Sequence, residues 1–160
     1  MKVPKIYLET TIFNFPFADD APQYKSDTLK LFEEIGAGKF KAYTSGYVIR
    51  ELENTEDVEK RKRMSSLIGN YGIDVLPVNE EAEHLADIYV REGIVPEKYT
   101  ADAYHIAAAS IAGLDFIVSL NFKHIVKRKT IIQTEVINAR EGYRRIFIHT
   151  PAEVVEYEDT

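Results

Sequence analysis

Short blocks of apolar residues alternate along this chain with longer stretches in which apolar positions recur every three or four residues. The first pattern is that of strands covered on both faces, the second that of amphipathic helices. Strands are predicted at residues 5–8 (KIYL), 40–44, 73–78, 115–119 (DFIVS) and 145–149 (RIFIH). Helices are predicted from about Ser26 to Ile35, from the Ser45 cap through GYVIRELE, over 58–71, and from Glu80 to about Arg91 behind the Asn79 cap. Further helices are predicted from a Thr100 N-cap to Gly113, over 130–142, and as a start at Thr150-Pro151-Ala152-Glu153, with 93–98 as a linker. Phe13, Phe15 and Phe17 alternate with Asn14 and Pro16, a spacing that predicts neither a regular helix nor a solvated loop. Strands alternating with helices predict an α/β chain: a three-layer α/β/α sandwich with a central, mainly parallel sheet, formed by residues 1–160 as a single domain.

The most informative segment is TADAYHIAAASIAGLDFIVSLNFKHI, residues 100–125. Asp102 falls in the first turn of its helix, where the dipole favours a carboxylate, and the alanines give a face that can lie close to a sheet. The strand that follows releases the chain at Asn121, and the opening strand releases it at Glu9-Thr10-Thr11. In an open α/β sheet the site lies outside the carboxyl ends of the strands. With the first and fourth strands adjacent, Glu9, Asp102 and Asn121 converge on one rim.

Composition narrows the chemistry. The chain has no cysteine, so a metal has to be held by oxygen or imidazole, and a reducing compartment, the cytoplasm, is expected. No membrane span is predicted, and Met1-Lys2-Val3-Pro4 runs straight into a strand rather than a signal peptide. A net charge of −6 argues against a nucleic-acid binder that uses its whole surface. It leaves room for a local patch: Lys123, His124, Lys127, Arg128 and Lys129 crowd the segment after Asn121, whereas Lys60 to Arg63 read as a solvated helix face. An oxygen-only donor set of few carboxylates and an amide suits Mg²⁺ or Mn²⁺.

The Asp-Ala-Tyr-His-Ile-Ala-Ala-Ala helix followed by a strand and Ser119-Leu120-Asn121-Phe122-Lys123-His124-Ile125 resembles the C-terminal half of a PIN domain, the metal-dependent nuclease fold of VapC-type toxins. The resemblance extends over nearly the whole chain and is least typical after about Lys129. It implies the family's four acidic positions at Glu9 in YLETT, Glu51 in YVIRELE, Asp102 and Asn121. Glu9 stands where Asp is commoner, and Asn121 where many members carry Asp. The implied activity is metal-dependent hydrolysis of RNA phosphodiesters, with Glu9, Asp102 and Asn121 holding the ion and a toxin–antitoxin pair as its setting. A homodimer is expected from the same resemblance and from the apolar surface of Phe13, Phe15 and Phe17.

Each candidate also has a plain reading. Glu51 beside Leu52 reads alone as surface, and His105 on an alanine-rich helix reads as a hydrogen-bonded core histidine as well as a group one turn from Asp102. Thr10 and Thr11 either orient the metal shell and scissile phosphate or turn the chain. Ser119 either bonds a ligand carboxylate or satisfies a backbone group at the strand end. Lys123, Lys127 and Arg128 either guide RNA or are solvated. The first strand is followed by no glycine loop, so nucleotide binding of the P-loop or dinucleotide type is not expected. The remaining alternative is a weakened PIN-like module that binds RNA or protein without cleaving.

Overall fold

The computed structural model describes residues 2–158. In chain order its elements are β1 (Lys5–Leu8), α1 (Thr10–Asn14), α2 (Pro22–Gly36), β2 (Lys41–Ser45), α3 (Gly46–Glu53), α4 (Val58–Asn70), β3 (Asp74–Leu76), α5 (Glu80–Arg91), α6 (Thr100–Ile111), β4 (Phe116–Val118), α7 (Arg128–Glu141), β5 (Phe147–His149) and α8 (Pro151–Val154). Single 3₁₀ turns span Phe15–Phe17 and Glu97–Tyr99. The strands form one sheet in the order β3-β2-β1-β4-β5, and every neighbouring pair is parallel. Ile6, Tyr7 and Leu8 of β1 are all fully buried. Successive strand residues point to opposite faces, so both faces of the sheet are covered by helices. This is the predicted three-layer α/β/α sandwich.

The structure corrects the sequence reading in several places. The Phe13 to Phe17 segment is helical: α1 runs into a 3₁₀ turn that Pro16 tolerates because its missing N–H lies in the first turn. Phe13 is fully buried 6.1 Å from the Phe32 ring, and Phe15 and Phe17 are half-buried against the core. The apolar surface expected there, on which the homodimer expectation partly rested, is therefore spent inside the fold. Helix α2 starts at Pro22 rather than near Ser26, again with proline in its first turn. Tyr99, not Thr100, is the N-cap of α6; the Thr100 hydroxyl donates to the Glu97 carbonyl at 2.5 Å. Strand β3 stops at Leu76, before Pro77, which has no N–H for the ladder.

Candidate active site

The strand order decides where a site can form. From β1 the chain lays β2 and β3 on one side and then returns to lay β4 and β5 on the other. The reversal point lies between β1 and β4, and the crevice outside their carboxyl ends is the favoured ligand position in such a sheet. Leu8 pairs with Val118, so Glu9 and Ser119 leave the sheet side by side.

Glu9 is buried and caps α1. Its Oε1 accepts from the Thr11 N–H at 3.2 Å, the Thr11 hydroxyl at 2.6 Å and the Ser119 hydroxyl at 2.7 Å. Each hydroxyl in turn accepts a backbone N–H from the β4 exit, Thr11 across the gap from Leu120 at 2.8 Å and Ser119 locally from Asn121 at 2.9 Å. One carboxylate oxygen thus staples the exit of β1 to the exit of β4. Burial pushes the Glu9 carboxyl above its ordinary value, against the opposing pull of His105 and these hydrogen bonds.

Glu51 reaches the same region from α3. Its Oε1 accepts from His105 Nε2, and on the far side of the ring His105 Nδ1 meets the Tyr7 hydroxyl at 2.8 Å. The Tyr7 hydroxyl meets Ser45 Oγ at 2.6 Å, and Ser45 caps α3 by accepting from the Tyr47 N–H at 3.2 Å. A neutral ring bonded in this way carries its proton on Nε2, so Nδ1 accepts from Tyr7 and Ser45 donates to the Tyr7 oxygen. Burial alone would raise Glu51, but the His105 hydrogen bond and charge outweigh it and hold the carboxyl below its ordinary value. Burial alone would lower His105; Glu51 first, then Glu9 and Asp102, raise it instead. Thr10 Oγ1 is buried with no partner in hydrogen-bonding geometry, yet it approaches Glu51 closely enough to help lower that carboxyl.

Asp102 enters from the first turn of α6. Its Oδ2 lies 2.8 Å from Nδ1 of the buried His124. The His124 backbone N–H donates to Asn121 Oδ1 at 3.0 Å, which folds the segment after β4 into a turn. A continuous run of hydrogen bonds therefore leads from Glu9 through Ser119, Asn121 and His124 to Asp102. Tyr99 lies 4.2 Å from the His124 ring, and Lys123 sits 4.9 Å over the other ring, that of Tyr99. Lys127 and Arg128 are exposed at the start of α7, on the segment that the Asn121 turn positions.

No protein-family model and no curated protein matches the sequence. Solved structures do. VapC20 of Mycobacterium tuberculosis, described as a toxin that cleaves the sarcin–ricin loop, superposes with a TM-score of 0.52 at 15% identity, over 70% of this chain and 86% of its own. VapBC2 of Rickettsia felis, solved on a DNA fragment from its promoter, gives a chain that superposes with a TM-score of 0.55 at 11% identity, over 91% of this chain and 98% of its own. The chain has the PIN-like fold of VapC proteins. At these identities the likeness is one of fold, and the chemistry has to be read from this chain's own residues.

On this PIN-like frame Glu9, Glu51, Asp102 and Asn121 come to the same end of the sheet, but they are not equivalent. Among the described residues no group of three or more His, Asp or Glu side chains is close enough to hold a metal ion. Glu51 is drawn onto His105, and one oxygen each of Glu9 and Asp102 is occupied by hydroxyl or imidazole partners. The donors that remain are the second oxygens of Glu9 and Asp102, with the second lone pair of the Asn121 amide oxygen, whose first accepts from the His124 N–H. A set of two carboxylates and one amide fits Mg²⁺ or Mn²⁺, which keep several waters and bind through few protein oxygens.

Two residues gain a place that the sequence did not assign them. His124 reads in sequence as one more member of a basic cluster, and Tyr7 as one more apolar strand residue. The available signal for His124 was its position three residues after Asn121, the spacing at which an Asn side chain caps a turn. Tyr7 had none, because its partner His105 lies 98 residues away in sequence.

Proposed function

We propose that the protein is a divalent-metal-dependent ribonuclease and the toxin of a toxin–antitoxin pair, with Glu9, Asp102 and Asn121 as the residues that hold the ion and Glu51 as their acidic neighbour. The observation that carries this reading is the hydrogen-bonded run from Glu9 to Asp102 at the β1/β4 reversal point. It supports a pre-organised oxygen site without a side-chain nucleophile. A bound Mg²⁺ or Mn²⁺ would activate water and neutralise charge on the phosphate. The chain's own residues do the remaining work. Thr11 and Ser119 fix the Glu9 carboxylate through one oxygen and leave the second for the ion, and His124 orients Asp102. His105 steadies Glu51, a carboxylate held ionised at neutral pH and so able to accept a proton from an attacking water. Lys123, Lys127 and Arg128 offer charge to the phosphate backbone. The likeness to VapC20 and to VapBC2 supports the ribonuclease and a separate partner chain.

The test is cleavage of RNA with and without Mn²⁺. The wild-type protein is expected to cut only with metal, and Asp102→Asn to lose at least ~100-fold in rate, several kcal/mol of transition-state stabilisation. Wild-type rates in that variant, in matched metal, would remove the assignment. One observation favours a second reading, a PIN-like module that binds without cutting: among the described residues no three His, Asp or Glu side chains gather closely enough to hold a metal ion. A wild-type protein that binds RNA but shows neither Mn²⁺ affinity nor cleavage is the result that reading expects.

A further inference from the structure

The exposed rings of this protein are not where its phenylalanine-rich segment lies. Phe122, directly after Asn121, is 45% exposed, and Tyr24 of α2 is 39% exposed. The two come from separate elements, yet their rings lie 5.9 Å apart, tilted by 34°. Phe15, half-buried, meets Tyr24 edge-on at 5.4 Å and props it from behind. Two solvent-facing aromatic rings thus begin one residue from the candidate site.

Charge separates the ligand classes that such a surface can take. Lys123, Lys127, Arg128 and Lys129 are all exposed on the same segment, and among the described residues none of them makes an ion pair. Elsewhere Lys25, Lys41, Arg91, Arg140, Arg144 and Arg145 are each paired with a carboxylate, while Lys60 to Arg63 of α4 make no ion pair among the described residues either, so it is the exposed ring pair beside the 123–129 group that sets that group apart. In a chain with 26 acidic and 20 basic side chains, unpaired cations gathered at one rim mark a place for an anion. Protein interfaces are depleted of charge at their centres and of lysine throughout. Rings to stack on, flanked by cations that track a backbone, are the means by which single-stranded nucleic acid is held.

We propose that Tyr24 and Phe122 form a stacking platform for unpaired bases of the RNA while the 123–129 cations hold its phosphates. This rests on the ribonuclease reading above. A duplex offers no free base face, whereas an unpaired strand can lay bases on Phe122 and Tyr24 and pass its backbone past Asn121.

The test measures binding of a labelled 12-nucleotide oligouridylate, an abasic strand of equal length and a duplex, by the Glu9→Gln protein in EDTA so that nothing is cut. Adding Tyr24→Leu and Phe122→Leu keeps the apolar contacts and removes both ring faces. Affinity for the oligouridylate is expected to fall roughly 5-fold or more per ring, with no change for the abasic strand and none in the slope of log affinity against log salt. Far-UV circular dichroism checks that the variants are folded. Undiminished affinity in the double-leucine protein, or a duplex bound as tightly as the single strand, overturns the platform while Mn²⁺-dependent cleavage by wild type leaves the ribonuclease standing. Retained RNA affinity with an altered sedimentation coefficient also overturns it and makes the face a protein contact. No binding to any of the three strands overturns the platform as well, and the ribonuclease reading then rests on Mn²⁺-dependent cleavage by wild type alone.

Discussion

Helix α6 buries polar side chains toward both of its ends, and the two sets are handled in opposite ways. Toward its C-terminus, Ser110 joins Tyr89 of α5 and Asn138 of α7. Tyr89 donates to Asn138 Oδ1, Asn138 Nδ2 donates to Ser110 Oγ at 2.9 Å, and Ser110 donates to the Ile106 carbonyl at 2.8 Å. This knot is neutral. Burial pushes the Tyr89 hydroxyl far above its ordinary value, so it stays protonated and uncharged. Toward the N-terminus, Asp102 and His105 join Glu9 and Glu51, where burial and charge work against each other: Glu9 is raised and Glu51 lowered. A neutral satisfied network ties helices together, whereas opposed titration of neighbouring carboxylates is a feature that active sites share with structural ion-pair networks.

The comparison is broken most forcefully at Asn138. Asn138→Ala leaves the Tyr89 hydroxyl and Ser110 without their shared partner in a dry interior, and is expected to cost about 2–4 kcal/mol in urea unfolding. RNA cleavage, measured where the variant is still folded, is expected to be unchanged. A loss of rate without a loss of stability would move the knot into the site.

A smaller effect is expected at the Glu51–His105 pair. His105 is raised above its ordinary 6.5, so its contribution is complete below that value and is lost as pH rises through the raised one. Glu51 is lowered from 4.5, so its contribution is present above that value and is lost as pH falls through the lowered one. The pair is therefore fully stabilising between about pH 4.5 and 6.5. Glu51→Gln is expected to cost about 1 kcal/mol in that window, a figure discounted for the half-exposed carboxylate, and less on either side. A stability gap that is flat across pH would show that the two groups do not titrate as a pair.

How much of this was legible in the sequence follows from the range of each signal. Parallel strands announce themselves as local apolar blocks, and Glu9, Asp102 and Asn121 stand at element ends that periodicity marks, so the sheet and the placing of these three residues at its rim could be read from it. The helical run through Phe13 to Phe17 could not, because a short helix and a 3₁₀ turn bury rings at a spacing that resembles neither period. Nor could the partners of those acids. Glu51 meets His105 across 54 residues and Ser119 meets Glu9 across 110, distances that only the folded sheet closes. Among the described residues no helix is long and apolar enough to cross a bilayer.

The smallest expected change in stability sharpens the comparison most. Glu9 has its folded pKa raised by burial, so its contribution to stability is complete at acid pH and is lost as pH rises through the raised value. Glu9→Gln keeps an oxygen to accept from Thr11 and Ser119 but has no charge to desolvate. In EDTA it is expected to unfold at a slightly higher urea midpoint than wild type near pH 8, the difference closing below the ordinary carboxyl value of 4.5. Its RNA cleavage in Mn²⁺ is expected to fall at least as far as that of Asp102→Asn. Stability and activity moving in opposite directions at one buried carboxylate is the behaviour of a group retained for function against the preference of the fold. A Glu9→Gln protein less stable than wild type at pH 8 would instead place Glu9 with Asn138, as a residue that holds the structure together.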